Sequence, residues 1–209
     1  MIRVLIPARG GSKRIPNKNL LKVDGHSLVG RAIMVGKKIT DNVWVSTDSD
    51  KIKLESFKYN SYIHNRKNEH ATDHSPTIDT ILDFLSEYKD TTTLVLLQCT
   101  TPFTNYEDVL RGIREVQSGE YNSAVSVFGE RCFYWSGDNQ PQYDTKNRTR
   151  TQDMNPYYKE TGGFYVINVS EFLKNPIVTT EPTKLIDVSL KSSFDIDTFE
   201  EYELIKEMK

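Results

Sequence analysis

Short apolar runs alternate along the chain with stretches in which apolar residues return every three or four positions. Val4-Leu5-Ile6 is a continuous run that stops at Pro7 and predicts a buried strand. From Leu28 to Ile39, the residues Leu28, Ala32, Ile33, Val35 and Ile39 fall at mostly helical spacing. Val43 to Thr47 predicts a second strand and Ser61 to His64 a third. Ser75-Pro76 reads as an N-cap with Pro at the first helical position, and Ile78, Ile81, Leu82 and Leu85 form an apolar face behind it. Leu94 to Gln98 predicts another buried strand, Asn105 opens a helix carrying Val109, Ile113 and Val116, and Ala124 to Phe128 predicts a strand.

The alternation then breaks. Residues 129–156 are polar and irregular, a length that marks a functional segment or an interaction arm. A strand resumes over Phe164 to Asn168, Phe194-Asp195-Ile196-Asp197 alternates apolar and acidic positions, and Thr198 with Glu201 forms a capping box for a last helix. Strands alternating with amphipathic helices predict an α/β fold, a three-layer α/β/α sandwich around a mostly parallel sheet. A single domain over residues 1–209 is expected.

Composition narrows the partners. The chain has 209 residues, 37% hydrophobic and 27% charged, with a net charge of −2, which gives no reason to expect nucleic acid or an anionic membrane. No stretch approaches the roughly 20 apolar residues of a membrane span. Cys99 and Cys132 lie far apart without a metal-binding spacing. With no signal peptide in view, a reducing cytoplasm is expected.

Charge distribution says more than its sum. Residues 1–22 hold six basic side chains and no acid. The stretch VLIPARGGSKRIPNKN, residues 4–19, empties a strand into a loop with two glycines and four cations. Gly10 and Gly11 let backbone N–H groups approach an oxyanion, Arg9 can grip oxygens with its fork, and Lys13 and Lys18 act as point charges. The loop follows a strand, and so lies at the carboxyl end of the sheet, where α/β proteins bind ligands. A solvated basic turn is the competing reading; charge, glycines and position together favour a phosphate cradle.

Asp195 and Asp197 are the second constellation. In an extended strand, positions i and i+2 point the same way, so two carboxylates can hold a divalent cation such as Mg²⁺. Alternatively, Asp197 only assists the turn into the last helix. Gln98, at a strand end, can hydrogen-bond a base or a sugar, or be solvated. His64, His70 and His74 share no helix with metal-binding spacing and are read as loop surface.

The block PARGGSKRIPNKNL resembles the N-terminal signature of the CMP-sialic acid synthetase family of cytidylyltransferases. VSTDSDKI, HNRKNEHATDHSPT, LLQCTTPF, YYKETGGFYV and FDIDTFEEYEL follow in the family's order over nearly the whole chain. The resemblance implies a nucleotide-diphospho-sugar transferase-like fold with a small dimerisation arm at residues 129–160, and a homodimer. It implies transfer of CMP from CTP to an acidic sugar with loss of pyrophosphate. The nucleotide would lie against Ala8, Arg9, Gly10, Gly11, Ser12, Lys18, Asn19, Arg66 and Thr77. Arg9, Lys13, Lys18, Asp195 and Asp197 would carry the chemistry, with Mg²⁺ on the two aspartates. Gln98, Thr100, Arg150, Lys159 and Thr161 would face the acceptor. LLQCTTPFT stands where the family commonly has LLQPTSPLR, which leaves the acceptor open among sialic, pseudaminic, legionaminic and related acids. A nucleotidyltransferase of the same fold with another base or acceptor, and a non-catalytic nucleotide-binding homologue, are the alternatives.

Overall fold

The computed structural model describes residues 1–72 and 75–208. The elements in chain order are β1 (Ile2–Pro7), β2 (Lys22–Val23), β3 (His26–Ser27), α1 (Leu28–Lys37), β4 (Val43–Thr47), α2 (Asp50–Phe57) and β5 (Tyr62–Asn65). They continue with α3 (Thr77–Glu87), β6 (Thr93–Leu97), α4 (Tyr106–Gln117), β7 (Ser123–Glu130), β8 (Tyr157–Asn168), α5 (Val169–Lys174), β9 (Thr183–Asp187) and α6 (Phe199–Lys206).

Seven strands form one sheet in the order β5-β4-β1-β6-β8-β7-β9. All neighbours pair in parallel except β8, which is antiparallel to both β6 and β7. Alternation along each strand sorts its side chains to two faces. Val4, Ile6, Val95 and Leu97 pack with Leu28, Ile33, Val109 and Ile113 of α1 and α4. Leu5, Leu94 and Leu96 pack on the other face with Ile81, Phe84 and Phe172 of α3 and α5. The result is the expected three-layer sandwich. Gly36 lets α1 settle on the sheet: a Cβ there would lie 3.1 Å from Val4 and Val43.

Several local expectations shift. α3 begins at Thr77 with Pro76 as its N-cap, because Pro76 keeps an extended ψ of 146°. The Ser75 hydroxyl instead donates to the Glu69 carbonyl at 2.7 Å. Residues 194–197 join no strand; the Ile196 N–H donates to the Thr100 carbonyl at 2.9 Å. β8 starts at Tyr157 rather than Phe164, and its irregular register against β7 falls between Val125 and Val127. The polar stretch folds on itself through aromatic contacts, with Phe133 4.7 Å from Tyr143 and the Arg148 guanidinium 4.0 Å above Phe133. Among the described residues no helix is long and apolar enough to cross a membrane.

Candidate functional site

The loop after β1 is fastened at several points before it reaches its basic residues. The Ala8 N–H donates to the Ser46 carbonyl at 2.9 Å, carrying the β1–β4 ladder one step further, and Ala8 is buried. The Gly10 N–H donates to Asp48 Oδ1 at 2.8 Å. That bond revises the sequence expectation for Gly10, whose N–H here is directed to a carboxylate rather than held ready for an oxyanion. The glycine is required for a different reason: a Cβ at residue 10 would lie 2.8 Å from Cβ of Ser49, whereas one at Gly11 would meet nothing within 4 Å. The side-chain amide of Asn19 is buried and donates to the Arg9 carbonyl at 3.0 Å, drawing the two ends of the loop together.

The far end of the chain closes this loop from the other side. Lys18 Nζ donates to the Ile196 carbonyl at 2.9 Å and to Asp197 Oδ1 at 3.1 Å. Arg14 pairs with Asp197 Oδ2 at 3.0 Å. Burial pushes the Asp197 carboxyl up, but Lys18 and Arg14 outweigh it and hold it below the usual carboxylate range. Asp195 is shifted the other way. Burial raises it, the Asp197 charge adds to that, and a hydrogen bond from Thr100 offsets only part. Asp195 Oδ1 is buried and accepts no hydrogen bond.

Arg66 follows β5, and its N–H donates to the Thr47 carbonyl at 3.1 Å. Its guanidinium is buried with Nε unpartnered. Burial lowers its pKa, and Asp48 works in the opposite sense. Arg9 donates to the Thr72 carbonyl at 2.7 Å. Together these groups line a cleft of about 610 Å³ at the carboxyl end of the sheet. Arg9, Ser12, Lys13, Lys18, Asn19, Arg66, Thr77, Gln98 and Asp197 all lie on its wall. So do Arg14, Thr72 and Ser75, which the sequence reading did not single out. Arg14 sits within the same basic run, but nothing in sequence separates an arginine that turns inward from one that faces water. Among the described residues, five cationic side chains and one carboxylate line this cleft, a concavity suited to a polyanion.

The remaining predicted residues lie elsewhere. Thr100 does not line the cleft but bonds Asp195. Thr161 is buried in the sheet, its hydroxyl donating to Ser126 Oγ at 2.8 Å. Arg150 is exposed and pairs with Asp153 at 2.7 Å. Lys159 is exposed beside Glu130, Tyr134 and Tyr158, on a groove of its own. His64 is not loop surface: it is buried on β5 with Nδ1 2.9 Å from Ser46 Oγ. His70 is only partly exposed, and His74 lies outside the described residues. Cys99 is buried, which pushes its thiol up to about 12 and leaves it unreactive at neutral pH.

Among the described residues no group of three His, Cys, Asp or Glu side chains comes together as a metal cage. The Asp195–Asp197 pair nevertheless fits a hard divalent ion. A buried carboxylate oxygen without a hydrogen bond is a ready ligand, and Mg²⁺ commonly takes one or two carboxylates with waters and substrate phosphates completing its shell. Asp197 would exchange a lysine or arginine contact for the ion.

Known proteins share sequence and fold with the chain. The chain is 29% identical over 206 residues to N-acylneuraminate cytidylyltransferase A of Danio rerio, covering 94% of this chain and 48% of that protein. It is 31% identical over 212 residues to the CMP-N,N'-diacetyllegionaminic acid synthase of Legionella pneumophila, covering 94% and 91%. The chain thus spans about half the length of the N-acylneuraminate relatives and nearly all of the legionaminic one. The solved structure of CMP:2-keto-3-deoxy-manno-octonic acid synthetase complexed with CTP shares the fold, with a TM-score of 0.70 over 98% of this chain and 96% of that one, at 16% identity. The family model described as cytidylyltransferase matches residues 3–208, from the first strand through the segment that carries Asp195 and Asp197, and the chain belongs to that family.

Proposed function

We propose that the chain transfers CMP from CTP to the hydroxyl of an acidic 2-keto sugar of the sialic acid type, releasing pyrophosphate. The observation that carries this reading is the single cleft in which Arg9, Lys13, Arg14, Lys18 and Arg66 surround a space edged by Asp197, in a member of this family. The near full-length match to a legionaminic acid synthase supports an acidic sugar as acceptor.

The residues divide the work by position. Arg9, Lys13 and Lys18 hold the β- and γ-phosphates and stabilise the charge that gathers on departing pyrophosphate. Ala8, Gly10, Gly11, Ser12, Asn19, Arg66 and Thr77 shape and line the nucleotide side. Gln98 and Thr100 stand on the acceptor side. The acceptor oxygen forms a bond to the α-phosphorus as the bond to the bridging oxygen breaks. The electron pair leaves with pyrophosphate, and the hydroxyl proton passes to solvent. Asp195 and Asp197 would hold Mg²⁺, which when bound neutralises phosphate oxygens and acidifies the acceptor hydroxyl. Such a transfer depends on positioning and charge more than on covalent catalysis.

We further infer a single domain that works in the cytoplasm, where CTP is available, as a homodimer built through the arm of residues 129–160. The exposed rings of Trp135, Tyr157 and Tyr158 support that reading, and Arg150 and Lys159 are then the arm residues nearest a shared acceptor site. Thr161 braces the base of the arm.

The test is pyrophosphate release from CTP and Mg²⁺ with a panel of acidic sugars, using UTP, ATP and GTP as controls. Release with CTP and one acceptor is expected. Equal release with UTP, or none with any acid despite tight CTP binding, rejects the assigned reaction.

A further inference from the structure

Three consecutive residues at the end of β4 organise two walls of the cleft. The Ser46 carbonyl accepts the Ala8 N–H at 2.9 Å, the Thr47 carbonyl accepts the Arg66 N–H at 3.1 Å, and Asp48 Oδ1 accepts the Gly10 N–H at 2.8 Å. The loop after β1 and the residue after β5 are thus both fastened to one short segment. Ser46 and Thr47 are fully buried, which shields their bonds from water.

His64 adds a side-chain tie to the same segment. It stands opposite Ser46 in the β4–β5 register, is 1% exposed, and its Nδ1 lies 2.9 Å from Ser46 Oγ. Its Nε2 faces α3, 3.6 Å from Asp83 Oδ2 and 3.9 Å from Glu87 Oε1. Asp83 is held in turn by Lys67. The Phe84 ring meets the imidazole edge to face, with centres 5.5 Å apart. One ring therefore spans β4, β5 and α3, two residues before Arg66 leaves the sheet.

Arg66 depends on such a hold. Its guanidinium is buried on the cleft wall, and Nε has no hydrogen-bond partner among the described residues. Asp48 attracts its charge and Arg9 repels it. These are forces without a fixed geometry, so the direction of the side chain is set through its backbone. We propose that His64 is a positioning residue for the nucleotide site: tied to Ser46 and set against Asp83, it fixes the end of β5 and with it the aim of Arg66 into the cleft, the cleft being read as the CTP site. His64 itself acts through Arg66. Leucine at position 64 keeps apolar bulk and loses the tie, whereas asparagine places an amide atom where the ring carries Nδ1 and keeps it.

The experiment is a double-mutant cycle of His64→Leu with Arg66→Gln in the full chain, read by calorimetric titration of CTP and of inorganic tripolyphosphate, with melts to verify folding. His64→Leu is expected to weaken CTP binding roughly tenfold alone and in Lys18→Ala, but less than about twofold once Arg66→Gln is present. His64→Asn should return affinity to within about threefold of wild type. Ser46→Ala cuts the same tie from the other strand with a smaller change, and should repeat the loss and its dependence on Arg66 if His64→Leu does not fold. Unchanged CTP affinity in a folded His64→Leu or Ser46→Ala protein, an equal loss with and without Arg66, or no rescue by asparagine overturns the proposal. Wild-type binding of tripolyphosphate but not CTP rejects the CTP reading alone, and the cycle is then read on tripolyphosphate by the same criteria; binding of neither overturns both.

Discussion

A methyl group at position 10 would lie 2.8 Å from Cβ of Ser49, and one at position 11 would meet nothing within 4 Å. Two adjacent glycines therefore answer to different constraints. Gly10→Ala must push the loop off the turn after β4, at a cost of about 1–3 kcal/mol for overpacking. Because the loop carries Arg9, CTP affinity should fall with it. Gly11→Ala should stay within about 0.5 kcal/mol of wild type. Thermal melts and calorimetric titration of CTP check both, and equal effects of the two substitutions would show that the Ser49 contact does not set the loop. Lys18 gives the second residue-scale test. Its ammonium holds Asp197 and the Ile196 carbonyl, at a side-chain exposure of 15%. Charge-assisted bonds of this kind contribute roughly 1.5–3 kcal/mol. Lys18→Ala is expected to leave a cooperative melt and to weaken CTP binding by about 10–100-fold; a protein that no longer folds would make Lys18 a purely structural clasp.

At the scale of elements, the cleft depends on how β5 and α3 are held together. His64 on β5 meets Ser46 on β4 at 2.9 Å, and its Nε2 lies 3.6 Å from Asp83 of α3. Asp83 is also paired with Lys67. Arg66 and Thr77 stand at the ends of those two elements and face the cleft. Burial holds the His64 pKa below its ordinary value, against the pull of Glu87 and Asp83 and with the help of Arg66 and Lys67. The folded state thus binds fewer protons than the unfolded one. Stability from this source is whole above the unfolded histidine value of about 6.5 and declines as pH falls below it towards the folded value. Denaturant melts at about pH 7.5 and about pH 5.5 should show a steeper acid loss in the wild type than in His64→Gln. Equal slopes would remove His64 from the account. The last helix offers a second test. Glu201 Oε2 accepts from the Asp197 N–H at 2.7 Å and the Thr198 N–H at 2.8 Å, so the capping box also fixes the backbone of a candidate metal ligand. Glu201→Ala should lower stability by about 1–2 kcal/mol. It should also raise the Mg²⁺ concentration needed for half-maximal turnover, whereas Glu203→Ala, on the same helix outside the box, should not.

Across the whole molecule, the parts legible in sequence were those written in local pattern. The runs Val43-Trp44-Val45 and Leu94 to Leu97 stand out because both sheet faces are covered, which makes each continuously apolar. α2 went unseen because only Ile52 and Ser56 are buried on it, and Leu54 and Phe57 are exposed, so no stripe marks its face. β9 lies at the sheet's edge with Leu185 46% exposed and reads as loop. The cleft followed the same rule. A basic run after a strand announced Arg9, Lys13 and Lys18, but Asp48, which anchors Gly10, belongs to a distant turn, and nothing in the block VSTDSDKI points to that contact. His64 looked solvated because a polar segment surrounds it, while its burial comes from β4 and α3.

The contact between Lys18 and Asp197 joins residues 179 positions apart. During synthesis, the basic loop leaves the ribosome well before the Ile196–Asp197 segment that closes it. The loop must therefore wait, positively charged, until that segment has emerged. A nascent chain stalled before Asp195 can pair β1, β4 and β6 and still lack the wall that closes the cleft, so nucleotide capture becomes a signal that this later segment has been made and docked.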